Sequence, residues 1–547
     1  MPIKSHSMKQ FLFLLAFMLL AFIPPVEAAH DINYDCHPYY EADGNFDKTV
    51  FLEALVLDIE TSGEENTGGQ DSIWIVFLLG VGGGLIALLT PCVFPMIPLT
   101  VSYFTKGSGD KKQGMFHAIL YGFFIFLIYT LVSAPFHLLN LAPDILSEIA
   151  TNIWLNLSFF IIFVVFAFSF FGFYEIQLPN GLANKVSSAE SAGGIIGVFF
   201  MALTLVIVSF SCTGPLVGSL LAGTLTQGSW YLTAGMAGFG VALGLPFALF
   251  ALFPGIMSSL PKSGGWLNTV KVILGFLGLA LALKFLSNAD LVDPSTVLIK
   301  REIFFTVWII IAFLTASYLF GWYSFKKGMK EKIGKGRIAF GLFFVLIGAV
   351  LIPSLLGRDI PMVRNVIAGF PPPMQYSIFA HSSTTTNNVS EKDLATYNFS
   401  DECPHDLPCF HDFFEAKCYA EQTNKPLFLD FTGYACVNCR KMEENVWIDP
   451  EILSILANDV VLVSMYVDDK TPLPAEQLLT IKNGGYEKKL RTEGNKWSYF
   501  QAINFTFVSQ PLYVILSPDG STVLMDPIGY TPDLEEYKGL IKEALAK

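Results

Sequence analysis

Between residues 73 and 357 the chain passes through eight apolar stretches, at about 73–104, 115–139, 153–174, 193–223, 231–256, 268–287, 303–323 and 337–357. Crossing a bilayer as a helix takes about 20 apolar residues. In lipid every backbone N–H and C=O must be bonded within the protein, so these stretches dictate a bundle of spanning α-helices. Composition agrees: 52% of residues are hydrophobic and only 15% charged, against about 25% charged in an ordinary soluble domain.

Loop charge sets the orientation, because basic loops stay on the cytoplasmic side. The first loop carries Lys106, Lys111 and Lys112, the fifth Lys262, and the seventh Lys326, Lys327, Lys330, Lys332, Lys335 and Arg337. The second has Asp144 and Glu148 and no Lys or Arg, and the third only Lys185. The sixth is mixed, with Lys300 and Arg301 against Asp290, Asp293 and Glu302. Odd loops therefore read as inside, and eight spans put both ends outside. The ends are acidic. Residues 30–71 hold 1 basic and 11 acidic residues, and residues 401–547 hold 13 and 23. Acidic ends around a basic membrane core argue against nucleic acid as a partner.

Residues 1–29 read as a secretory signal: Lys4 and Lys9, the apolar run Phe11–Ile23, then the small-residue site Val26-Glu27-Ala28. A retained first helix is the alternative, but the apolar run is short for a span. Residues 30–72 form a short acidic segment with a strand-like run at Thr49–Leu57 and a single cysteine, Cys36, read as an incidental or locally paired thiol. Residues 358–402 are a linker, stiff at Pro371-Pro372-Pro373 and polar at His381–Asn388. Residues 403–547 read as an α/β domain. Its expected elements are a helix at Phe410–Asn424, a buried strand at Pro426–Phe431, and a helix from Cys436 to Val446. A strand at Val460–Val467, a hairpin of Pro511–Leu516 with Ser521–Met525, and a closing helix at Pro532–Ala546 follow, with 468–496 as an insertion.

Three thiol sites stand out. Thr90-Pro91-Cys92-Val93-Phe94-Pro95-Met96-Ile97-Pro98 lies inside the first apolar stretch, and Ser211-Cys212-Thr213-Gly214-Pro215 inside the fourth. Proline removes a backbone donor and breaks a helix. Broken backbone at membrane depth survives where it lines a watery cavity or is buried in protein. Both sites read Cys-x-x-Pro, each in the first of three apolar stretches, which suggests two copies of a three-span unit in inverted orientation. A lone buried cysteine is ordinarily packing; the matched pair, with a third site downstream, points to chemistry.

The third site is Cys436-Val437-Asn438-Cys439, placed after a strand and opening a helix. A helix N-terminus favours the thiolate of the first cysteine, and the second, one turn on, can resolve a mixed disulfide. Cys-x-x-Cys also binds zinc, with Cys403, His405, Cys409 and His411 as candidate further ligands, but one such motif on a strand–helix turn fits redox chemistry better. Cys403 and Cys409 read as a structural disulfide in an oxidising compartment, and Cys418, within a helical pattern, as packing.

The run Asp430-Phe431-Thr432-Gly433-Tyr434-Ala435-Cys436-Val437-Asn438-Cys439-Arg440-Lys441-Met442-Glu443 resembles a thioredoxin active-site segment, and Ser509-Gln510-Pro511 resembles the cis-proline loop that faces it. With the two membrane motifs, residues 73–547 resemble DsbD-type thiol:disulfide interchange proteins. The resemblance implies a polytopic α-helical membrane domain at 73–357 followed by a thioredoxin-like domain at 403–547. It implies a reductase of the bacterial inner membrane that draws electrons from cytoplasmic thioredoxin. The electrons pass through Cys92 and Cys212, flanked by Pro91, Pro95 and Pro215, to Cys436 and Cys439 of a periplasmic domain, and on to disulfide-bearing clients. A dedicated role in cytochrome c maturation is a narrower form of the same reading. No bound cofactor or metal is implied, the carriers being cysteine pairs. Asp430 matches the buried acid of thioredoxins, and Glu443 an acidic residue near the site; the plainer reading of Glu443 is a solvated helix face. Family members often begin with an immunoglobulin-like relay domain, which residues 30–72 are too short to form, so either a separate protein relays or the C-terminal domain reduces clients directly. A solute transporter with a fused thioredoxin-like chaperone is the competing reading. It has no use for a membrane redox pair, and transporters usually carry an intramembrane charge, of which these stretches are nearly free.

Overall fold

The described residues of each of the eight apolar stretches are helical in the main. The structure, a computed structural model, describes residues 36–40, 45–59, 73–88, 111–134, 151–173, 195–203, 205–206, 229–252, 264–292, 297–325, 333–358, 360–379, 393, 396–400, 403–483, 486–505 and 509–547. The leader at 1–29, the linker tract 381–391, and Pro91, Cys92, Pro95, Cys212 and Pro215 lie outside these residues.

A short helix α1 (Lys48–Ala54) precedes the membrane helices α2 (Ile73–Ala87), α3 (Lys111–Val132), α4 (Ile153–Phe170), α5 (Ser229–Leu252), α6 (Gly264–Leu291), α7 (Arg301–Leu319) and α8 (Lys335–Leu351), with a further helical stretch at 195–203. Among the described residues, five helices are long and apolar enough to cross a membrane: Met115–Val132, Ile153–Phe170, Asn268–Leu291, Arg301–Leu319 and Lys335–Leu356. Trp74, Leu78, Phe123, Trp154, Phe340 and Leu346 point outward and exposed, as lipid-facing residues must.

Helix pairing follows small residues. A Cβ on Gly80 of α2 would run into the Gly235 carbonyl of α5, and one on Gly238 of α5 into the Phe77 carbonyl of α2, so both glycines are required for this close approach. α5 also packs on α3, and α4 packs on α6. The 195–206 stretch meets α3, with the Phe199 and Phe124 rings 5.3 Å apart. Among the described residues of the first six apolar stretches, the pairs include first with fifth, second with fourth, second with fifth, and third with sixth, while the seventh packs on the sixth and eighth. Exchanging the two triplets maps the pairs within the first six stretches onto themselves, the pattern expected of two copies of a three-span unit.

After α8 the short helix α9 (Pro361–Ile367) leads to the C-terminal domain. There β1 (Cys409–Phe410), α10 (Phe413–Thr423), β2 (Leu427–Thr432), α11 (Val437–Asn445), α12 (Pro450–Asn458) and β3 (Val461–Tyr466) come first. A hairpin of β4 (Leu479–Asn483) and β5 (Tyr486–Leu490), then α13 (Glu493–Phe505), β6 (Leu512–Leu516), β7 (Val523–Ile528) and α14 (Leu534–Leu545) complete it. The sheet order is β1-β3-β2-β6-β7; β1, β3 and β2 are parallel, and β6 and β7 antiparallel. Side chains alternate across a strand. Leu427, Leu429 and Phe431 therefore pack under Phe413, Phe414 and Phe500 of α10 and α13, while Phe428 packs under Met442, Ile452 and Tyr537 of α11, α12 and α14. Both sheet faces are covered, which is why β2 reads as an unbroken apolar run. The expected helix at Phe410–Asn424 begins three residues later, because Cys409 and Phe410 pair with β3 instead. The expected insertion 468–496 holds the β4–β5 hairpin and the start of α13.

The strand expected at Thr49–Leu57 is a correction: Lys48–Ala54 is helix α1. Asp47 caps it, accepting from the N–H groups of Thr49 at 2.7 Å and Val50 at 3.2 Å. Phe51 and Leu55, one helical turn apart, are both fully buried, and that shared face outweighs the β-branched residues that suggested a strand. The segment is not free-standing. Tyr39, Tyr40, Phe51 and Leu55 join the core of the C-terminal domain beside Phe414 and Trp497, and Asn504 bonds Leu55 O and Leu57 N.

Candidate active site

Strand β2 ends at Thr432, and the turn Gly433-Tyr434-Ala435 delivers Cys436 to the start of α11. Cys436 is the N-cap, and its Sγ accepts the N–H of Cys439 at 3.1 Å. Cys436 and Cys439 are joined as a disulfide. Cys436 is partly exposed and Cys439 is buried, so Cys436 is the sulfur open to an incoming thiolate. The helix N-terminus stabilises the Cys436 thiolate once it is released.

The register of β2 with β6 pairs Phe431 with Leu512, which places Pro511 beside the end of β2. The Gln510–Pro511 bond is cis. The Gln510 side chain lies against Gly433, so the proline loop faces the turn that carries Cys436. Ser509 holds this loop, donating its hydroxyl to Pro511 O at 2.9 Å, and Gln501 Nε2 donates to Ser509 O at 2.7 Å.

Acidic groups sit beneath the motif. Asp430 is buried on β2, where Ser464 of β3 donates its hydroxyl at 3.1 Å. Burial pushes its carboxyl up to about 7, against the Ser464 bond and the Arg440 charge, which favour the ionised form. Glu443 is also buried, which overturns the reading of a solvated helix face. Its Oε2 lies 2.7 Å from Arg440 Nη1. Burial raises the Glu443 carboxyl, with Arg440 opposing. A helix that packs on β2 while carrying the disulfide turns its i and i+3 positions inward, and the pair offsets its own desolvation. Asp468, which the sequence did not single out, accepts the N–H groups of Tyr434 at 2.8 Å and Ala435 at 3.0 Å, and so fixes the turn before Cys436. Its sequence signal was slight: an acid two residues past a buried strand.

The expected Cys403–Cys409 disulfide is present. The zinc alternative needed Cys436 and Cys439 to share a site with Cys403, His405, Cys409 and His411; among the described residues only Cys403, Cys409 and His411 bring ligand atoms together, within 4.8 Å of one another. His411 lies near that pair, but its Nδ1 bonds Ser464 O at 2.9 Å and its Nε2 meets Ser400 Oγ at 2.7 Å. His405 instead donates Nε2–H to Glu443 O at 2.7 Å. Cys36 and Cys418 correct two expectations at once. They are disulfide-bonded to each other, so Cys36 is neither incidental nor locally paired and Cys418 is more than packing.

The active-site face lies against the membrane domain. Tyr434 and Tyr466 stack with ring centroids 3.9 Å apart and are covered by Leu291 at the end of α6, by Val297 and by Tyr376. Arg301 at the start of α7 donates from Nη1 to Glu444 Oε1 of α11 at 2.8 Å and to Pro372 O at 2.7 Å. Gly369, with φ +86°, abuts Val437, the residue after Cys436; a Cβ there would lie 2.7 Å from Val437 Cγ1.

The comparisons agree with this layout. Residues 73–289 match the cytochrome c biogenesis protein transmembrane domain family, and residues 410–518 match a thioredoxin-like family. The chain is 27% identical over 410 residues to the thiol:disulfide interchange protein DsbD of Ralstonia nicotianae, covering 73% of this chain and 60% of that one. It is 29% identical over 406 residues to the DsbD of Vibrio vulnificus, covering 72% and 59%, and 26% identical over 416 residues to that of Campylobacter jejuni, covering 74% and 64%. The chain thus spans about 60% of the length of the curated relatives it matches. A membrane domain that matches the first family, a redox motif on a part that matches the thioredoxin-like family, and relatives aligned across both parts give the chain the same two-part layout as the DsbD proteins it is similar to.

Proposed function

We propose that the protein is a transmembrane thiol:disulfide reductase that carries electrons from a cytoplasmic dithiol to protein disulfides outside the cytoplasm. The observation that carries this reading is the half-exposed Cys436–Cys439 disulfide at a helix N-terminus, seated against a spanning bundle. The inner donor is cytoplasmic thioredoxin, and Cys92 and Cys212 are the membrane relay. The membrane is the bacterial inner membrane, with the thioredoxin-like domain on its periplasmic side. Disulfides at Cys36–Cys418 and Cys403–Cys409 support an oxidising location for that domain. No bound cofactor is needed, since each step is thiol–disulfide exchange.

One membrane thiolate attacks Cys436 Sγ, breaking the Cys436–Cys439 bond, and Cys439 leaves as a thiolate. The second membrane thiol, once deprotonated, attacks the first membrane sulfur and expels Cys436 as a thiolate. Two electrons have moved outward, and the membrane pair is left as a disulfide for thioredoxin to reduce. Released thiolates take up protons according to their surroundings, and Asp430 and Glu443, both raised by burial, are placed to influence that step. The reduced Cys436 then attacks a client disulfide and Cys439 resolves it. Clients include proteins of cytochrome c maturation. The test is reduction of an outer-compartment disulfide client in cells carrying Cys436→Ser: reduction should be abolished, and wild-type levels would contradict the reading.

A further inference from the structure

We propose that the contact built around Arg301 and Glu444 is the docking surface on which the thioredoxin-like domain receives electrons from the membrane domain, with this ion pair as its latch. The inference rests on the function proposed above and names the partner of its central step: the outer end of the chain's own membrane domain.

Four observations converge. Arg301 and Glu444 are both almost wholly buried, with side chains 3% and 4% exposed, yet they come from different domains. A buried charge is tolerated only with a counter-charge, and Glu444 finds its cations, Arg301 and Lys284, on the membrane helices α7 and α6. Glu444 lies on the helix that Cys436 caps, so whatever seats Glu444 also sets the approach to the disulfide. The same turn of α7 holds the connecting strap: Arg301 bonds Pro372 O, while Glu302 bonds the Ser377 hydroxyl and accepts the Ile378 N–H at 2.9 Å. The strap in turn places α9 and Gly369 on α11 beside Cys436. The apolar centre is Leu291, Val297 and Tyr376 over the Tyr434–Tyr466 stack. Asp290 shapes the chain that presents it, accepting the N–H groups of Leu298 at 3.2 Å and Ile299 at 2.7 Å. An apolar core fixed in register by one desolvated charge pair is the arrangement of a specific interface, and a latch of charge rather than a wide greasy face suits a domain that must let go to meet clients.

The test uses the full-length protein in lipid nanodiscs, with reduced thioredoxin as donor and thiol alkylation of Cys436 and Cys439 as readout. Arg301→Met and Glu444→Met should each slow their reduction by roughly tenfold or more, since each removes one side of a buried ion pair that joins the two domains. The double variant should recover most of the rate, because a buried ion pair is replaceable by apolar side chains of similar volume. Arg301→Lys, which keeps the charge but loses the planar fork, should fall between. Dithiothreitol, which needs no docking, should reduce Cys436–Cys439 at the wild-type rate in every variant. Single variants reduced by thioredoxin at the wild-type rate would overturn the latch, as would a double variant no faster than the slower single, or a matching loss with dithiothreitol. A wild-type protein that thioredoxin does not reduce at all would overturn the proposed function itself, and the latch with it.

Discussion

Cys36 and Cys418 lie 382 positions apart, on opposite sides of the whole membrane domain, and their Cα atoms are 5.7 Å apart in a disulfide. Around the bridge, His37 Nε2 lies 3.3 Å from Asp412 Oδ1, and Gln477 Nε2 donates to Tyr40 OH at 3.2 Å. Residues 36–40 and 45–59 are therefore a part of the C-terminal domain supplied from the other end of the chain. The domain is tethered to the membrane bundle from both sides.

This bridge should be structural rather than a relay. Cys36→Ser should destabilise the C-terminal domain by about 2–4 kcal/mol, a usual cost for a lost native disulfide. Limited proteolysis of the full-length protein would show it. Electron delivery to Cys436 should persist in whatever fraction stays folded. Loss of delivery from fully folded Cys36→Ser protein would make the pair a carrier.

The bridge also changes how a reaction intermediate must be caught. Cys439→Ser combined with loss of Cys92 or of Cys212 leaves one thiol at each site. Oxidised glutathione, added as the disulfide donor, first caps Cys436; the remaining membrane thiolate then attacks Cys436 Sγ and expels glutathione thiolate. The resulting mixed disulfide should persist, since neither resolving thiol is left. Cleavage at a protease site engineered into 381–391 would leave two fragments joined by Cys36–Cys418 in any case. In a background of Cys36→Ser and Cys418→Ser, the fragments should stay joined until reductant is added. Fragments that separate without reductant in both combinations would break the proposed route.

Asp430 gives a pH-dependent prediction with a definite sign. Its carboxyl is raised to about 7 from 3.8, so the folded state holds the proton more tightly than the unfolded state. The associated stability is complete below about pH 4 and is lost as pH rises through 7. Asp430→Asn should therefore stabilise the protein by up to about 4 kcal/mol at pH 8 and by almost nothing at pH 4. Urea unfolding at the two pH values measures this, and an equal effect at both would show that Asp430 is ionised throughout.

Arg440 and Glu443 should couple strongly. Arg440→Leu leaves Glu443 buried without its ion-pair partner and should cost about 3–5 kcal/mol, whereas the double change Arg440→Leu with Glu443→Leu should cost less than Arg440→Leu alone. Additive losses in the same unfolding measurement would mean that the pair carries no net interaction.

The strongest periodic signals were legible. The unbroken apolar run of β2 and the helix opened by Cys436 became the expected elements, and the described parts of the apolar stretches are helical, five of them long enough to span. The Cys403–Cys409 disulfide, whose partners are six residues apart, also formed as expected. What was not legible depended on distant partners. Cys36 carries no local sign of Cys418. Glu443 looks like any helix-surface acid until Arg440 and the packing of α11 are known. Arg301 stood out only as a basic residue in a loop that disturbed the charge pattern; its position opposite Glu444 accounts for it. Thr49–Leu57 misled because β-branched residues outweighed a two-residue core contact.

The most direct measurement is alkylation trapping of Cys436 and Cys439 in living cells, with and without cytoplasmic thioredoxin, in the wild type and in Cys92→Ser and Cys212→Ser. The predicted result is a reduced Cys436–Cys439 pair in the wild type, and an oxidised pair whenever thioredoxin, Cys92 or Cys212 is missing. A pair that stays reduced without thioredoxin, or without either membrane cysteine, would contradict electron transfer across the membrane through this chain.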